Sequence, residues 1–215
     1  MLDYFAKHFD TVEINNSFYR LPTDAAFKKW HDTVPDGFTF AVKASRFITH
    51  MKKLRDPEPS IALFFERARF LADRLGPILF QLPPHWPVNP ERLERFLECL
   101  PHGHRYVFEF REQSWCIPEI YDILRRHNTA ICLHDWGGLD WPTGFTADFT
   151  YVRMHGPTGA YHGRYGTALL KPWAERIREW RHRLSRIYIY FNNDIGGHAI
   201  HDALTLRGMV GQALR

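Results

Sequence analysis

The chain has 215 residues, of which 45% are hydrophobic and 24% charged, so it can fill a hydrophobic core and is not a wholly disordered chain. The 28 lysines and arginines exceed the 24 acidic residues by four, which is compatible with an anionic ligand but does not require nucleic acid. No apolar run approaches the roughly 20 residues of a membrane-spanning helix, which argues against a membrane partner. Three widely spaced cysteines, Cys99, Cys116 and Cys132, exclude a disulfide framework and predict a cytoplasmic protein.

Seven short segments rich in Val, Ile, Phe or Tyr predict strands. They are Thr11–Asn16, Phe38–Ala44, Ile78–Pro83, Arg105–Phe110, Thr129–Asp135, Thr150–His155 and Arg186–Asn192. Most are separated by helical patterns, namely the apolar periodicity from Ile61 to Leu75, the helix after the N-cap Asn89 with proline at its first position, and the stretch from Ala199 to Leu214. Only the link from Trp136 to Phe149 lacks a helical pattern.

Repeated strand–helix units indicate a parallel sheet, because parallel strands need crossover connections. Without a linker or low-complexity tract, the sequence predicts one α/β domain over residues 1–215. A TIM-type (β/α) barrel and a doubly wound open sheet are the two candidates. The open sheet usually has a glycine-rich turn after its first strand, and here that position reads Asn15-Asn16-Ser17-Phe18-Tyr19.

Alternation within the strands favours the barrel. In Arg105–Arg111, the side chains of Tyr106, Phe108 and Phe110 share one apolar face, which would meet the helices. The other face becomes polar only toward the carboxyl end, at Glu109 and Arg111. This is what a barrel with a site at its C-terminal mouth requires.

The polar residues near the carboxyl ends of the strands would converge on that mouth. They are Glu13, Asn15, Lys43, Gln81, Glu109, Arg111, Asp135, Arg153, His155, Asn192, Asn193 and Asp194. Each one alone would more often brace a barrel than perform chemistry. So many buried polar groups are costly unless they pair or bind something, so together they predict a ligand site.

Residue chemistry suggests a role for each. Glu13, Glu109 and Asp135 are candidate catalytic acids or bases, with His155 as the proton carrier near neutral pH. Lys43, Arg111 and Arg153 are candidates to bind a phosphate or carboxylate. The candidates to orient polar substrate groups are Asn15, Gln81, Asn192 and Asn193. His50, on the loop Ser45–Pro59, and Tyr165, on the glycine-rich loop Gly156–Gly166, complete the predicted substrate-binding set, and the second loop is either a mobile lid or a flexible surface loop.

A resident cofactor cannot be assigned from the sequence. A divalent metal is a weak alternative, with donors on Glu109, His134 or Asp135, His155 and Asp194, but these lie on separate strands without metal-binding spacing. By strand parity only one of His134 and Asp135 can point into the lumen.

Motifs along nearly the whole chain are similar to one known family. They include Val12-Glu13-Ile14-Asn15, Phe38–Ala44 with Ile48-Thr49-His50, Gly76–Pro84, Glu109–Trp115, Tyr151–Gly156 and Phe191–Asp194. In these motifs the chain resembles the domain of unknown function 72 family, also called YecE-like. The resemblance implies a TIM-type barrel and no established reaction. Trp115, which closes one of these motifs, joins the predicted substrate-binding residues.

One departure from that family concerns the N-terminus. Family members begin with a strand ahead of the helix that corresponds to Leu2–Phe9, and a closed barrel of this type has eight strands where this sequence predicts seven. We therefore expect the first strand to be absent and a gap between Thr11–Asn16 and Arg186–Asn192. Water, a shifted helix or a second copy of the chain would cover this gap, so we expect either marginal stability or a homodimer.

Three functions remain open at this point. The leading one is an enzyme, a hydrolase or isomerase, that applies acid–base chemistry to a polar, anionic small molecule. A second is a nucleic-acid-associated, phosphodiesterase-like protein that uses the basic stretch Arg164–Arg186. The simpler interpretation of that stretch is a helix whose basic face is solvated and binds no ligand. Its apolar stripe would be Trp173, Ile177, Trp180 and Leu184. The third is a non-catalytic metabolite-binding module.

Overall fold

The computed structural model describes residues 2–135, 144–159 and 161–211. They form two compact units, Met1–Thr129 and Ala130–Arg215. The single domain predicted over residues 1–215 stays a prediction.

The first unit contains four parallel strands that pair in chain order. Its elements are α1 (Leu2–His8), β1 (Thr11–Ile14), α2 (Asp24–Thr33), β2 (Thr39–Lys43), α3 (Glu58–Ala68), β3 (Leu75–Gln81), α4 (Pro90–Glu98), β4 (Tyr106–Glu109) and α5 (Pro118–Arg126). Local chemistry determines where two helices begin. The side chains of Thr23 and Asn89 accept backbone hydrogen bonds at the starts of α2 and α4, and Pro90 occupies the first turn of α4.

The second unit contains three parallel strands, again paired in chain order. Its elements are β5 (Ala130–His134), β6 (Phe149–Met154), α6 (Gly166–Trp180), β7 (Arg186–Phe191) and α7 (His198–Gly211). Its core forms where Val152 and Met154 of β6 meet Leu170 and Ile177 of α6 and Leu206 of α7.

All seven predicted strands are observed, with bounds that differ by one to three residues. Parallel strands joined by helices make this an α/β protein of the TIM-barrel type, and the predicted fold class is confirmed. The apolar strand face meets a helix, as the alternation predicts: the Phe96 ring of α4 lies 5.0 Å from the Phe80 ring and 5.9 Å from the Phe108 ring, between centroids.

The predicted boundary between the third helix and the third strand is wrong. The helix ends at Ala68, a 3₁₀ segment with a left-handed residue at Ala72 follows, and β3 begins at Leu75 rather than Ile78. Gly76 and Pro77 suggest a loop, but both lie within the strand. A Cβ on Gly76 would stand 2.2 Å from the Thr39 side chain, so the glycine permits the close approach of β2 and β3.

The basic stretch forms a helix, α6, that packs on its own unit. Trp173, Ile177 and Trp180 contact the core of this unit, and the Arg178 guanidinium donates to the Met209 carbonyl at 2.7 Å. Leu184, the fourth residue of the predicted stripe, follows the end of the helix.

The closing helix is described from His198 to Gly211, so the last part of the predicted Ala199–Leu214 lies outside the described residues. The same is true of residues 136–143 of the link to Phe149, and residues 144–148 contain no helix. Among the helices of the described ranges, none is both long and apolar enough to cross a bilayer.

The Phe80–Phe96–Phe108 cluster provides a test of the core. Because Phe96 is fully buried, Phe96→Ala should lower the free energy of unfolding by about 3–5 kcal/mol through lost apolar contact and a residual cavity. Urea unfolding measures the change. The control Leu63→Ala removes a side chain that is 48% exposed and should change stability by less than about 0.5 kcal/mol. Equal losses in both variants would contradict the assignment of Phe96 to the core.

Candidate functional site

In the second unit, strand register places polar side chains on the sheet face opposite α6. His134 pairs with Arg153 and Arg153 with Tyr190, so these three residues share one face. Val152 and Met154 point the other way, into the core against α6. Arg153 is only 4% exposed and His134 only 3%.

His155 follows β6 and lies close to the ionisable groups of β5. Its ring stands perpendicular to the His134 ring, with 5.8 Å between centroids. Its backbone N–H donates to Oδ1 of Asp135 at 2.7 Å, and its Nδ1 lies 3.4 Å from the same oxygen. Strand parity allows only one of His134 and Asp135 to point into the lumen. His134 shares the face of Arg153, whereas Asp135 is turned toward the segment that precedes α6.

Tyr165 holds the Asp135 carboxylate in place. Its hydroxyl donates to Oδ2 of Asp135 and accepts the Gly156 N–H at 2.7 Å. Burial opposes ionisation of Asp135, but the hydrogen bonds from His155 and Tyr165 outweigh it and hold the pKa of this carboxyl below its usual value. Burial, and then the neighbouring Asp135, raise the pKa of the Tyr165 hydroxyl. At neutral pH, Asp135 is therefore a carboxylate and Tyr165 a neutral phenol.

Asp202 of α7 was missed by the sequence analysis. Its side chain is fully buried and accepts three hydrogen bonds, from the N–H of Tyr165 at 3.0 Å, the N–H of Gly166 at 3.3 Å and Nδ2 of Asn193 at 2.8 Å. Two of these donors are at the start of α6, where helical N–H groups have no partner within the helix. The available signal was that Asp202 is the one acidic residue of this helix and lies between the apolar residues Ala199 and Leu206, both of which are buried.

Asn192 and Asn193 follow β7 and point to opposite sides of the sheet. Asn193 points toward α7, because its Nδ2 donates to Asp202 and to the Gly163 carbonyl at 2.9 Å. Asn192 therefore points to the face of Tyr190 and Arg153. Its backbone N–H donates to the Met154 carbonyl at 2.7 Å, which places it beside His155.

The glycine-rich loop after β6 passes close to His155. The Tyr161 N–H donates to the His155 carbonyl at 2.7 Å, and the two rings lie 6.0 Å apart between centroids. Gly156 has a φ of +113°, and a Cβ there would stand 2.2 Å from the His162 carbonyl oxygen. Glycine is thus required for this turn.

In the first unit, register also gathers predicted site residues on one sheet face. Glu13 pairs with Ala41, two residues before Lys43, and Gln81 pairs with Glu109. Lys43 pairs with Leu79, which precedes Gln81 by two residues, so the four polar residues share a face. Asn15 lies just beyond β1 and is half-buried.

Glu109 and Arg111 form an ion pair, which agrees with the prediction that both point to the same side. Glu109 is fully buried and the Arg111 side chain is 11% exposed. A buried carboxylate needs such a partner.

Lys43 and His50 both lie close to the Phe18 ring. The Lys43 Nζ stands 4.1 Å from the centroid of the Phe18 ring, and the His50 ring lies 5.0 Å from it. Burial lowers the pKa of His50, and the positive charges of Lys43 and Arg46 lower it further. His50 is therefore a neutral imidazole in a locally positive environment at pH 7.

Trp115, predicted to bind substrate, lies in the core of the first unit. It is fully buried, its ring stacks on Phe110 with 5.2 Å between centroids, and its indole N–H donates to the Trp86 carbonyl at 2.7 Å. This placement gives Trp115 a packing role and leaves its ring no exposed surface for a ligand.

The predicted site residues thus form two sets, one in each unit, and their convergence on one mouth stays a prediction. In ranges 2–135, 144–159 and 161–211, no three His, Cys, Asp or Glu side chains are arranged to hold a metal ion. Asp194, one of the weak metal candidates, is exposed.

The lowered pKa of Asp135 predicts a pH dependence of stability. A carboxyl group with a folded-state pKa below its unfolded value, about 3.9, contributes stability above that value, and the contribution is lost as pH falls through the folded pKa. Asp135→Asn should therefore be less stable than the unchanged protein at pH 6 and show a smaller loss of stability between pH 4 and pH 2. Urea unfolding across this range checks it, with the exposed Asp122→Asn as control; parallel pH profiles for all three proteins would contradict it.

The turn at Gly156 provides a second test. Gly156→Ala should lower the melting temperature, because the backbone is left-handed and the new methyl group meets the His162 carbonyl. The expected cost is about 1–3 kcal/mol. Gly144→Ala is the matched control, since its Cβ would meet nothing within 4 Å. Thermal unfolding that does not distinguish the two variants would exclude a required glycine at this turn.

Two solved structures have closely similar folds. A DUF72 family protein from Thermotoga maritima MSB8 superposes with a TM-score of 0.87 at 28% sequence identity, covering 98% of this chain and 88% of that one. A DUF72 family protein from Enterococcus faecalis V583 gives a TM-score of 0.87 at 20% identity, covering 98% of this chain and 93% of that one. The second comparison shows likeness of fold alone.

Curated relatives have names without an activity. UPF0759 protein YunF of Bacillus subtilis (strain 168) is 26% identical over 232 residues, which span 92% of this chain and 82% of that protein. UPF0759 protein YecE of Escherichia coli (strain K12) is 33% identical over 115 residues, 53% of this chain and 42% of that protein. The family described as "Protein of unknown function DUF72" matches residues 1–215, and the chain therefore belongs to the DUF72 family.

Proposed function

We propose that this protein is an enzyme that applies acid–base chemistry to a polar, anionic small molecule, with His155 as the proton carrier. One observation carries the proposal: the His155 Nδ1 lies 3.4 Å from the carboxylate of Asp135, which Tyr165 holds in place from its other side. A carboxylate behind an imidazole orients the ring and stabilises the imidazolium that forms when the ring takes up a proton.

The charge of Asp135 determines which nitrogen of the His155 ring would accept the substrate proton. An ionised carboxylate at Nδ1 favours the tautomer with its proton on that atom, so the lone pair is on Nε2. His155 can then accept a proton through Nε2 and return it without leaving its place. Asp135 serves as the positioning residue in this arrangement, since its oxygens already accept hydrogen bonds from the His155 backbone and the Tyr165 hydroxyl.

The Arg153 guanidinium supports an anionic substrate. Arg153, two residues before His155 on β6, places a guanidinium on the face of His134 and Tyr190. A guanidinium can bind a carboxylate or phosphate through two parallel hydrogen bonds.

The test is turnover of a defined mixture of anionic metabolites, namely 2-oxo acids, hydroxy acids, sugar phosphates and nucleotides, followed by mass spectrometry. We expect the purified protein to deplete at least one compound. His155→Gln should slow this depletion by about 10²–10⁴-fold, the usual contribution of a positioned acid or base.

The control is His182→Gln, which changes an exposed histidine beyond the end of α6 and should leave the rate unchanged. A compound that raises the melting temperature but is never consumed would support a metabolite-binding module instead. Turnover that survives in His155→Gln would remove His155 from the proposed role.

A further inference from the structure

Asn192 carries a buried hydrogen-bond donor with no acceptor. The residue is 7% exposed, and its Nδ2 finds no hydrogen-bond partner among the residues that the structure describes. An unsatisfied buried donor is unfavourable, and native proteins keep few of them. Asn193, next in the chain, shows the usual arrangement, because its Nδ2 donates to both Asp202 and Gly163.

The position of Asn192 gives this donor a candidate use. Phe191 pairs with Met154 in the register of β6 and β7, and the Asn192 N–H donates to the Met154 carbonyl, so Asn192 and His155 are neighbours across the two strand ends. Asn193 points toward α7, so Asn192 points to the opposite face, where Arg153 and Tyr190 also lie. The amide donor therefore lies on the same side of the sheet as the proposed proton carrier.

We infer that Nδ2 of Asn192 binds the oxyanion that develops on a carbonyl substrate when His155 removes a proton from the adjacent carbon. The inference rests on the proposed function and specifies its substrate class, an anionic compound with a C–H next to a C=O group. An amide N–H that has no protein acceptor among the described residues can donate to such an oxygen without reorganisation, which is the property of an effective oxyanion site.

The proton-transfer step balances without any co-reactant. The C–H bond breaks, its proton goes to Nε2 of His155, and its electron pair forms the C=C bond of an enolate. The carbonyl π pair moves to the oxygen, where Nδ2 of Asn192 donates to it. Return of the proton to the same carbon regenerates the starting carbonyl compound and neutral His155. In a 2-hydroxy carbonyl compound the hydroxyl proton can first move to the enolate oxygen, and return of the carbon-bound proton to the former carbonyl carbon then gives the isomeric carbonyl compound.

Burial favours this reaction over a hydrolysis. His155 and Asn192 are 2% and 7% exposed, and the loop that carries Tyr161 passes close to the His155 ring. Hydrolysis needs a water molecule at the reacting carbon, whereas an enolate is protected when water is excluded from it.

Proton–deuterium exchange tests the inference without knowledge of the product. The protein is incubated in D2O with pyruvate, 2-oxoglutarate, dihydroxyacetone phosphate or fructose 6-phosphate, and loss of the carbon-bound proton is followed by NMR. We expect exchange above the buffer rate with at least one of these probes. Asn192→Leu should reduce the exchange rate by about 10²–10³-fold, as removal of one oxyanion donor does in other enzymes.

Two further variants separate a chemical role from a structural one. Asn192→Asp keeps the side-chain shape but removes the donor, and it should lose exchange as Asn192→Leu does. Asn16→Ala changes an exposed asparagine in the other unit and should exchange at the unaltered rate. Because the Asn192 donor has no partner in the part of the chain that the structure describes, Asn192→Leu should melt at the same temperature as the unchanged protein or higher. A lower melting temperature for Asn192→Leu would indicate a structural amide and overturn the inference.

The outcomes also distinguish this inference from the proposed function. Exchange that depends on His155 but survives in both Asn192 variants would overturn the oxyanion role and leave the acid–base proposal standing. His155-dependent turnover of an anionic metabolite without a carbonyl would overturn the substrate class alone. If the protein consumes no anionic metabolite and exchanges no probe, the proposed function fails and this inference fails with it.

Discussion

The second unit depends on the hydrogen bonds that the buried Asp202 side chain accepts. A fully buried polar side chain is tolerated only when hydrogen bonds satisfy it, and here the start of α6 and the Asn193 amide supply them. Tyr165 is thereby fixed by its backbone, and its hydroxyl in turn holds Asp135. Asp135 in turn lies 3.4 Å from Nδ1 of His155, so the geometry at the end of β6 depends on α7, a helix that follows later in the chain.

The parts of the fold that follow from short-range physics could be predicted from the sequence. Period-two alternation in Arg105–Arg111 separates the Phe108 face from the Glu109 face, and the packing of Phe108 against Phe96 agrees with it. The N-cap Asn89 with Pro90 likewise predicts the start of α4. Alternation also placed Glu109 and Arg111 on the same side of β4, where they form an ion pair.

Other features depend on contacts between residues that are distant in the chain, and the sequence could not reveal them. From the sequence alone, Gly76 suggests a turn. In the structure the Thr39 side chain occupies the space that a side chain at position 76 would need. Trp115 is in a family motif and could have faced a ligand, but Trp86 and Phe110 enclose it. For Asp135, parity left two orientations open, and the choice depends on Tyr165, which is 30 residues further along the chain.

The order of these contacts along the chain has a consequence for synthesis on the ribosome. Asp202 follows Tyr165 by 37 residues, so α6 can begin to form while the carboxylate that caps it is still untranslated. During that interval the first N–H groups of α6 lack their acceptor, and Tyr165 has no fixed position from which to hold Asp135. The nascent chain therefore carries His155 long before the ring can be oriented, and the site assembles only when the last described helix reaches the sheet.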